Sequence, residues 1–390
     1  MTTGFTPRFT RRIRDLVQSD IRRMTRECEK VGGINLGQGI CDQPIPDRIK
    51  DAAVSAIRAD LSTYSKFEGI DELRRLIGVK MKDYNGIRCD PDTDVIVTVG
   101  STGGFAIACL ALVEEGDEAV IFSPFYSYHL NILKLCGADV KFVRMHPPGW
   151  SFDPHELERA FGPRTRIVVV NTPSNPSGKV YSREELDLVA GLCQRWGAIA
   201  VTDEIYEYIL FDGRRHLSLG SLPGMEDRTV TLSGFSKTYS MTGWRLGYAV
   251  ACKALSARFG VINDLLYICA PTPLQHGVAE AFRLPPSYYD DLKVSYAAKL
   301  ETLTGACLAA GLDPIRPQGA YYLLADVSRL ECESDRAASA FLLERAGVTS
   351  VPGSSFHADP ADGRRQVRFC FAKKDRDLQE AAARLAALSV

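Results

Sequence analysis

Net charge is what this chain most conspicuously lacks: 47 lysines and arginines stand against 48 aspartates and glutamates. Without a global field there is nothing to gather nucleic acid or an anionic membrane surface, so neither is an expected partner. No run of about 18 apolar residues exists for a membrane span. Internal repeats and low-complexity tracts are missing as well, which excludes a solenoid or a disordered chain. The 11 cysteines are odd in number and scattered, and none falls into the paired spacings of a metal site or a redox dithiol. They are expected as free, mostly buried thiols in a cytoplasmic protein. The six histidines are dispersed; His276, in PTPLQHG, reads as a packed or surface residue, and no metal site is expected. GSTGG lacks the GK[ST] ending of a P-loop, no strand is followed by GxGxxG, and neither HExxH nor G-x-S-x-G occurs. Nucleotide, zinc and serine-hydrolase chemistry therefore lose their usual signatures.

What is present is alternation. At 390 residues and 45% hydrophobic, the chain is long enough for a large core and two unequal domains. From about residue 94, short β-branched runs alternate with segments of helical period: DVIVTVG then GGFAIACLALV, EAVIFS then YSYHLNILKLCG, TRIVVVN then EELDLVAGLCQRW, then AIAVTDE, TVTLSG and WRLGYAVA. In EELDLVAGLCQRW, Leu186, Val189, Leu192, Cys193 and Trp196 fall on one face, as a crossover helix packing on a sheet requires. The class is α/β, with a mostly parallel sheet and helices on both faces. After about residue 285 a long helical stretch, the turn-rich DPIRPQG and two strands, AYYLLADV and QVRFCFA, read as a smaller α+β domain. The opening MTTGFTPRFTRRIRDLVQSDIRRM carries Asp15 and Asp20 and no apolar core, so it reads as an amphipathic surface helix rather than a leader. The expected division is residues 1–45 as an arm joining the small domain, 46–284 as the large domain and 285–390 as the small one.

In an open parallel sheet, ligands bind beyond the carboxyl ends of the strands. Four strands end in unusual sequences. GSTGG opens a helix where Ser101, Thr102 and free backbone N–H groups suit a phosphate, although a lone GST more often marks a capped helix start. NTPSNPSG fixes a rigid loop that aims amides above the sheet. TDEIYE places Asp203 at a strand end, with Tyr206 expected one helical turn later on the same face. A buried carboxylate there needs a partner. The fourth, SGFSKTYSMTGWRLGY, sets Lys237 among small and hydroxyl residues with Arg245 eight positions on. A lysine beside an anion site, an amide and a buried aspartate suits a Schiff base to a phosphorylated aldehyde, pyridoxal phosphate. Arg245 also favours a neutral, nucleophilic amine at Lys237.

Together these residues resemble the class I/II aminotransferases, pyridoxal-phosphate enzymes of fold type I, over essentially the whole chain. The resemblance implies a seven-stranded-type sheet in the large domain and a role for each position. Lys237 is similar to the Schiff-base lysine and proton carrier, Asp203 to the partner of the pyridine nitrogen, and Asn175 and Tyr206 to partners of the phenolic oxygen. Ser101, Thr102, Ser236 and Arg245 resemble phosphate ligands. Tyr126 in SPFYSYH resembles the aromatic residue stacked on the ring, with Phe125 beside it. Arg368 in VRFCFA matches the arginine that grips a substrate carboxylate, Gly39 in NLGQG a glycine lying over the substrate, and Asn175 a further substrate contact. Tyr64 resembles a tyrosine reaching the phosphate of the neighbouring subunit, which implies a homodimer with shared active sites. Where some relatives carry a serine three residues before the lysine, this chain has Gly234, with Ser233 or Ser236 as its substitute.

The resulting expectation is transfer of an amino group from an L-amino acid to a 2-oxo acid by a ping-pong mechanism. A same-fold enzyme diverting the deprotonated substrate to β-elimination or oxidation uses the same residues. A non-catalytic sensor domain is the alternative from another class, and the 45 residues before the cofactor region are too short for an added DNA-binding segment and linker. Which donor and acceptor are used is not written in these motifs.

Overall fold

The computed structural model describes residues 7–14, 16 and 18–388. Part of the expected N-terminal helix, Asp15 included, lies on residues 1–6, 15 and 17, outside the described ones. What is described there is not one helix but two, Arg11–Arg14 and Asp20–Val31. The second begins where the Ser19 hydroxyl accepts from the Ile21 N–H, and it buries Met24 and Cys28. A side-chain cap at Ser19 gives the orphaned first-turn donors a partner, so a new helix starts there.

In chain order the strands are β1 (Ile34–Asn35), β2 (Val95–Thr98), β3 (Glu118–Ser123), β4 (Asp139–His146), β5 (Ser151–Phe152), β6 (Thr165–Asn171), β7 (Ile199–Asp203), β8 (Thr229–Gly234), β9 (Gly247–Val250), β10 (Asp313–Ile315), β11 (Tyr322–Asp326), β12 (Val348–Thr349), β13 (Val351–Pro352) and β14 (Gln366–Cys370). The large sheet has the order β2-β9-β8-β7-β6-β3-β4-β5. Its centre is parallel, from β8 through β7, β6 and β3 to β4. Antiparallel β9 is inserted between β2 and β8, and the two-residue β5 adds to the far edge. Without that short edge strand, seven strands remain. The sequence pattern did not single out β4, because its alternating exposed and covered residues DVKFVRMH read as an edge rather than a buried run.

Burial follows the period of two. In β6, Val168 and Val170 face one core, with Leu186, Val189 and Cys193 of the Arg183–Trp196 helix. Ile167 and Val169 face the other, with Phe105, Ile107 and Phe259. Helices therefore cover both faces, as parallel strands buried on both sides require. The smaller sheet, β10-β11-β14-β13, is antiparallel. It packs against the Pro286–Ala309 helix through Tyr296, Leu300 and Leu303. Near the start of the chain, β1 pairs in parallel with β12, Ile34 opposite Val348, tying the N-terminal segment to C-terminal residues.

Register positions the site. Asn171 lies opposite Asp203 across the β6–β7 ladder, and Asp203 opposite Leu232 of β8. Gly234 of β8 and Thr98 of β2 both pair with Gly247, the first residue of β9. The ends of β6, β7 and β8 and the start of β9 thus reach one rim, carrying the Asn175 loop, Asp203, Lys237 and Arg245.

Candidate active site

Above that rim lies a cavity of about 380 Å³, within the roughly 300–1,000 Å³ that small-molecule sites span. Lys237, Asp203, Tyr206, Asn175 and Tyr126 line it. So do Ser101, Thr102, Ser236, Arg245 and Gly39. Ten of the residues singled out in the sequence are therefore brought together. Phe125 is instead buried in the core against Phe142, at a ring-centroid distance of 5.6 Å, so of the two neighbouring aromatics it is Tyr126 that faces the cavity.

Lys237 follows directly on the end of β8. Its Nζ donates to the Gly39 carbonyl at 3.3 Å and lies 5.9 and 5.7 Å from the ring centroids of Tyr206 and Tyr321. Burial holds the ammonium below the ordinary lysine range. Arg245 pushes in the same direction, while Cys41, Cys370 and Asp203 oppose it. Position 39 has no side chain because a Cβ there would overlap the Tyr322 hydroxyl.

Asp203 is 6% exposed at the end of β7. Its Oδ2 faces His129 Nε2 at 3.0 Å, and its Oδ1 accepts from the Ile205 N–H at 3.3 Å. His129 supplies the partner that a buried carboxylate needs. The sequence reading missed it, yet a signal existed: His129 lies three residues after Tyr126, on the first turn of the Ser127–Cys136 helix, and the two rings meet edge to face at 5.3 Å.

TDEIYE is not helical, contrary to the sequence expectation. Asp203 ends the strand and a tight turn follows, with Glu207 N donating to Glu204 O at 2.9 Å and Ile209 N to Tyr206 O at 2.8 Å. The turn replaces a helix because both acidic residues are drawn inward. Glu207 pairs with Lys80 at 2.5 Å and accepts from Ser233 Oγ at 2.6 Å, and Glu204 accepts from Ser218 Oγ at 2.6 Å and meets His216 at 2.7 Å. Burial alone would raise the Glu207 carboxyl; Lys80, His216 and Ser233 together outweigh it and hold the group below its ordinary value. Tyr206 still reaches the cavity, where its hydroxyl meets Tyr322 Oη at 3.1 Å. Burial drives the Tyr206 phenol well above its ordinary range, so it remains protonated and able to donate.

The same network separates Ser233 from Ser236. Ser233 is committed to Glu207, while Ser236 lines the cavity. Gly234 has no room for a hydroxyl, since a Cβ would lie 2.8 Å from Gly247 Cα.

Two of the singled-out residues are not on the cavity wall. Arg368 has no exposed surface. It lies between the rings of Tyr322 and Phe356 at 4.2 and 4.6 Å, donates from Nη1 to Asn175 Oδ1 at 2.6 Å and from Nη2 to Gly37 O at 2.7 Å, and leaves Nε without a partner. It reaches the cavity through Asn175. Tyr64 is 78% exposed and does not line the cavity. The wall also contains residues that no motif indicated: Ile21, Arg22, Gln38, Tyr128 and Tyr322.

These residues fit pyridoxal phosphate. At one end Gly100 adopts φ +71°, and a Cβ there would lie 2.5 Å from Arg245 Nη2, so helix start and guanidinium close on each other with Ser101, Thr102 and Ser236 around them. That is a cradle for an oxyanion. At the other end lies a buried carboxylate suited to a pyridinium, and between them an amine with depressed basicity.

Comparison with known proteins agrees. The family "Aminotransferase class I and II" matches residues 31–385. The chain is 34% identical to human kynurenine–oxoglutarate transaminase 1 over 89% of its length and 90% of the relative's. It is also 34% identical to the probable N-succinyldiaminopimelate aminotransferase DapC of Mycobacterium tuberculosis, covering 97% and 98% of the two chains. Among solved structures, N-succinyldiaminopimelate aminotransferase from Mycobacterium tuberculosis superposes with a TM-score of 0.94 at 33% identity, over 98% of this chain and all of the other. YbdL from Escherichia coli, described with a methionine aminotransferase function, does so at 0.93 and 31% over the same shares. With its fold, its cradle and its buried lysine and aspartate in place, this chain belongs to the class I and II aminotransferases, enzymes that move amino groups with pyridoxal phosphate.

Proposed function

We propose that Lys237 is the residue that carries the cofactor and the proton, and that the amino acceptor is a 2-oxo acid of the oxoglutarate kind. The observation that carries the first part is the buried Lys237 amine set between the Arg245 cradle and Asp203. The second rests on the name of the human relative, which couples its donor to oxoglutarate. The chemistry that pyridoxal phosphate supplies when bound is an electrophilic aldehyde carbon and a ring able to delocalise a carbanion.

Lys237 Nζ, its basicity lowered by burial and by Arg245, would serve as a nucleophile towards that carbon and as a base for the substrate α-proton. Its contact with the Gly39 carbonyl holds it over the cavity floor. Asp203, its carboxylate oriented by His129, would pair with the ring nitrogen. Tyr206 and Asn175 would offer hydrogen bonds to the phenolic oxygen. Ser101, Thr102, Ser236 and Arg245 would hold the phosphate, and Tyr126 would supply the aromatic wall against the ring. Arg368 grips the substrate α-carboxylate at the Asn175 edge, where its unpartnered Nε leaves a donor to be satisfied.

Tyr64 and its surroundings support a homodimer. Tyr64 is 78% exposed, and Leu61, Leu265, Leu266 and Ile268 are exposed at 42, 79, 50 and 46%. So much exposed apolar surface favours burial against a second copy, in which Tyr64 would complete the neighbouring phosphate site. No helix among the described residues is long and apolar enough to cross a membrane, and all 11 cysteines are free. Free thiols favour a reducing cytoplasm.

Three outcomes test this reading. Initial rates with varied donor and acceptor should give parallel double-reciprocal lines, with one keto acid and one new amino acid formed per turnover; ammonia release without an acceptor would establish the elimination or oxidation route instead. His129→Leu should keep the cofactor bound but lower kcat about ten- to a hundredfold, the worth of a hydrogen bond to a charged group; an unchanged kcat would remove His129 from the account. In sedimentation the chain should run at twice its 42.9 kDa mass and Leu265→Asp should shift it towards the monomer, whereas a monomeric, fully active parent would refute the shared site.

A further inference from the structure

Tyr322 lines the cavity, yet no motif pointed to it and no task has been given to it. It opens β11, which pairs antiparallel with β14 so that Tyr322 stands opposite Cys370 and Leu324 opposite Arg368. Arg368 is thus a diagonal neighbour of Tyr322 on the same face of the sheet, within reach of a large side chain. The guanidinium lies over the Tyr322 ring at 4.2 Å. At its other end the Tyr322 hydroxyl occupies the space that a side chain at Gly39 would need, and it stands 3.1 Å from Tyr206 Oη. Only 3% of the residue is exposed.

Two phenols that meet hydroxyl to hydroxyl share one hydrogen bond, and only one of them donates to it. Their surroundings decide which. Arg368 lies close on the Tyr322 ring, whereas the Tyr206 ring has the Lys237 amine, farther off at 5.9 Å and with its basicity lowered. A cation on the ring face draws electron density from it and makes its hydroxyl the stronger donor. Acidity follows the same contrast: burial raises both phenols, but Arg368 opposes it at Tyr322, which is pushed up to about 12, while Tyr206 goes well above its ordinary range. With Tyr322 as donor, the acceptor side of Tyr206 Oη is filled and the Tyr206 proton is left to point into the cavity. Successive hydroxyls in such a chain polarise and strengthen one another.

We propose that Tyr322 is a positioning residue: its hydroxyl donates to Tyr206 Oη and so commits the Tyr206 proton to the phenolic oxygen of the cofactor. This role rests on the reading of Tyr206 as a partner of that oxygen. Without the Tyr322 hydroxyl, Tyr206 keeps its place but becomes a weaker and less directed donor. The opposite polarity, with Tyr206 donating to Tyr322, would hold the Tyr206 proton back from the cofactor, and removing the Tyr322 hydroxyl would then release it. The two polarities therefore predict effects of opposite sign.

The test is a pH titration of absorbance in the cofactor-loaded enzyme without substrate. The pH at which the cofactor band changes reports how firmly the phenolic oxygen holds the proton it shares with the Lys237 nitrogen, and a donor to that oxygen weakens the hold and lowers this pH. Tyr322→Phe, which keeps the ring against Arg368, should raise it by about half a unit. The charged and titratable groups around Lys237, namely Asp203, Arg245, Cys41 and Cys370, are the same in parent and variant. An unchanged or lowered value overturns the proposal. Tyr206→Phe should raise the value by about one unit. Adding Tyr322→Phe to it should then have no further effect, because the hydroxyl acts through Tyr206; a further shift as large as in the single variant would overturn that route. A Tyr206→Phe variant that keeps the parent value removes the phenolic-oxygen assignment itself, whatever Tyr322 does.

Discussion

The site depends on one constraint: a carboxylate, Asp203, kept at the buried end of a strand. An unpaired charge at that depth would cost several kcal/mol, so the fold must supply a partner and hold the turn that follows. His129 is the partner, at 3.0 Å. The turn is held from behind by Glu204 and Glu207, which are anchored by Ser218, Ser233, Asn85 and Lys80. Asp203 and Tyr206 can face the cavity because their neighbours in TDEIYE face inwards. Two layers of buried polar groups, back to back, thus fix a single backbone path.

From that fixed point the electrostatics of the cavity run in one direction. Negative charge lies at Asp203, and positive charge lies across the cavity at Arg245 and the helix start beside Gly100. Lys237 sits between them with its basicity depressed by burial. A ligand with a cationic ring end and an anionic phosphate end is matched along its length. Other parts of the chain close the rest of the site: Gly39 comes from the loop after β1, and Arg368 of β14 reaches the wall through Asn175.

The sequence revealed the parts that depend on local pattern. Buried β-branched runs announced the central strands, and residues immediately after them announced the rim, because strand ends and ligand sites coincide in this class of fold. Long-range partners were harder to read. His129 is a helix residue whose partner lies on a strand 74 positions away, and its spacing of three from Tyr126 was the one local trace of that contact. Tyr206 lines the cavity with Asp203 as expected but in another local conformation, since the pull of the buried Lys80–Glu207 pair overrides helical spacing. β4 was missed because an edge strand alternates as a loop would.

The central claim is that Lys237, among the 390 residues, bonds the cofactor. Reduction of the cofactor-loaded enzyme with borohydride, followed by digestion and mass spectrometry, tests it directly. The account predicts a pyridoxyl-phosphate mass increment fixed on the peptide containing Lys237 and no comparable label on Lys80, Lys179 or Lys299, the other buried lysines in pairs with acidic groups. A stoichiometric label on any other lysine, or none in an active enzyme, would contradict it.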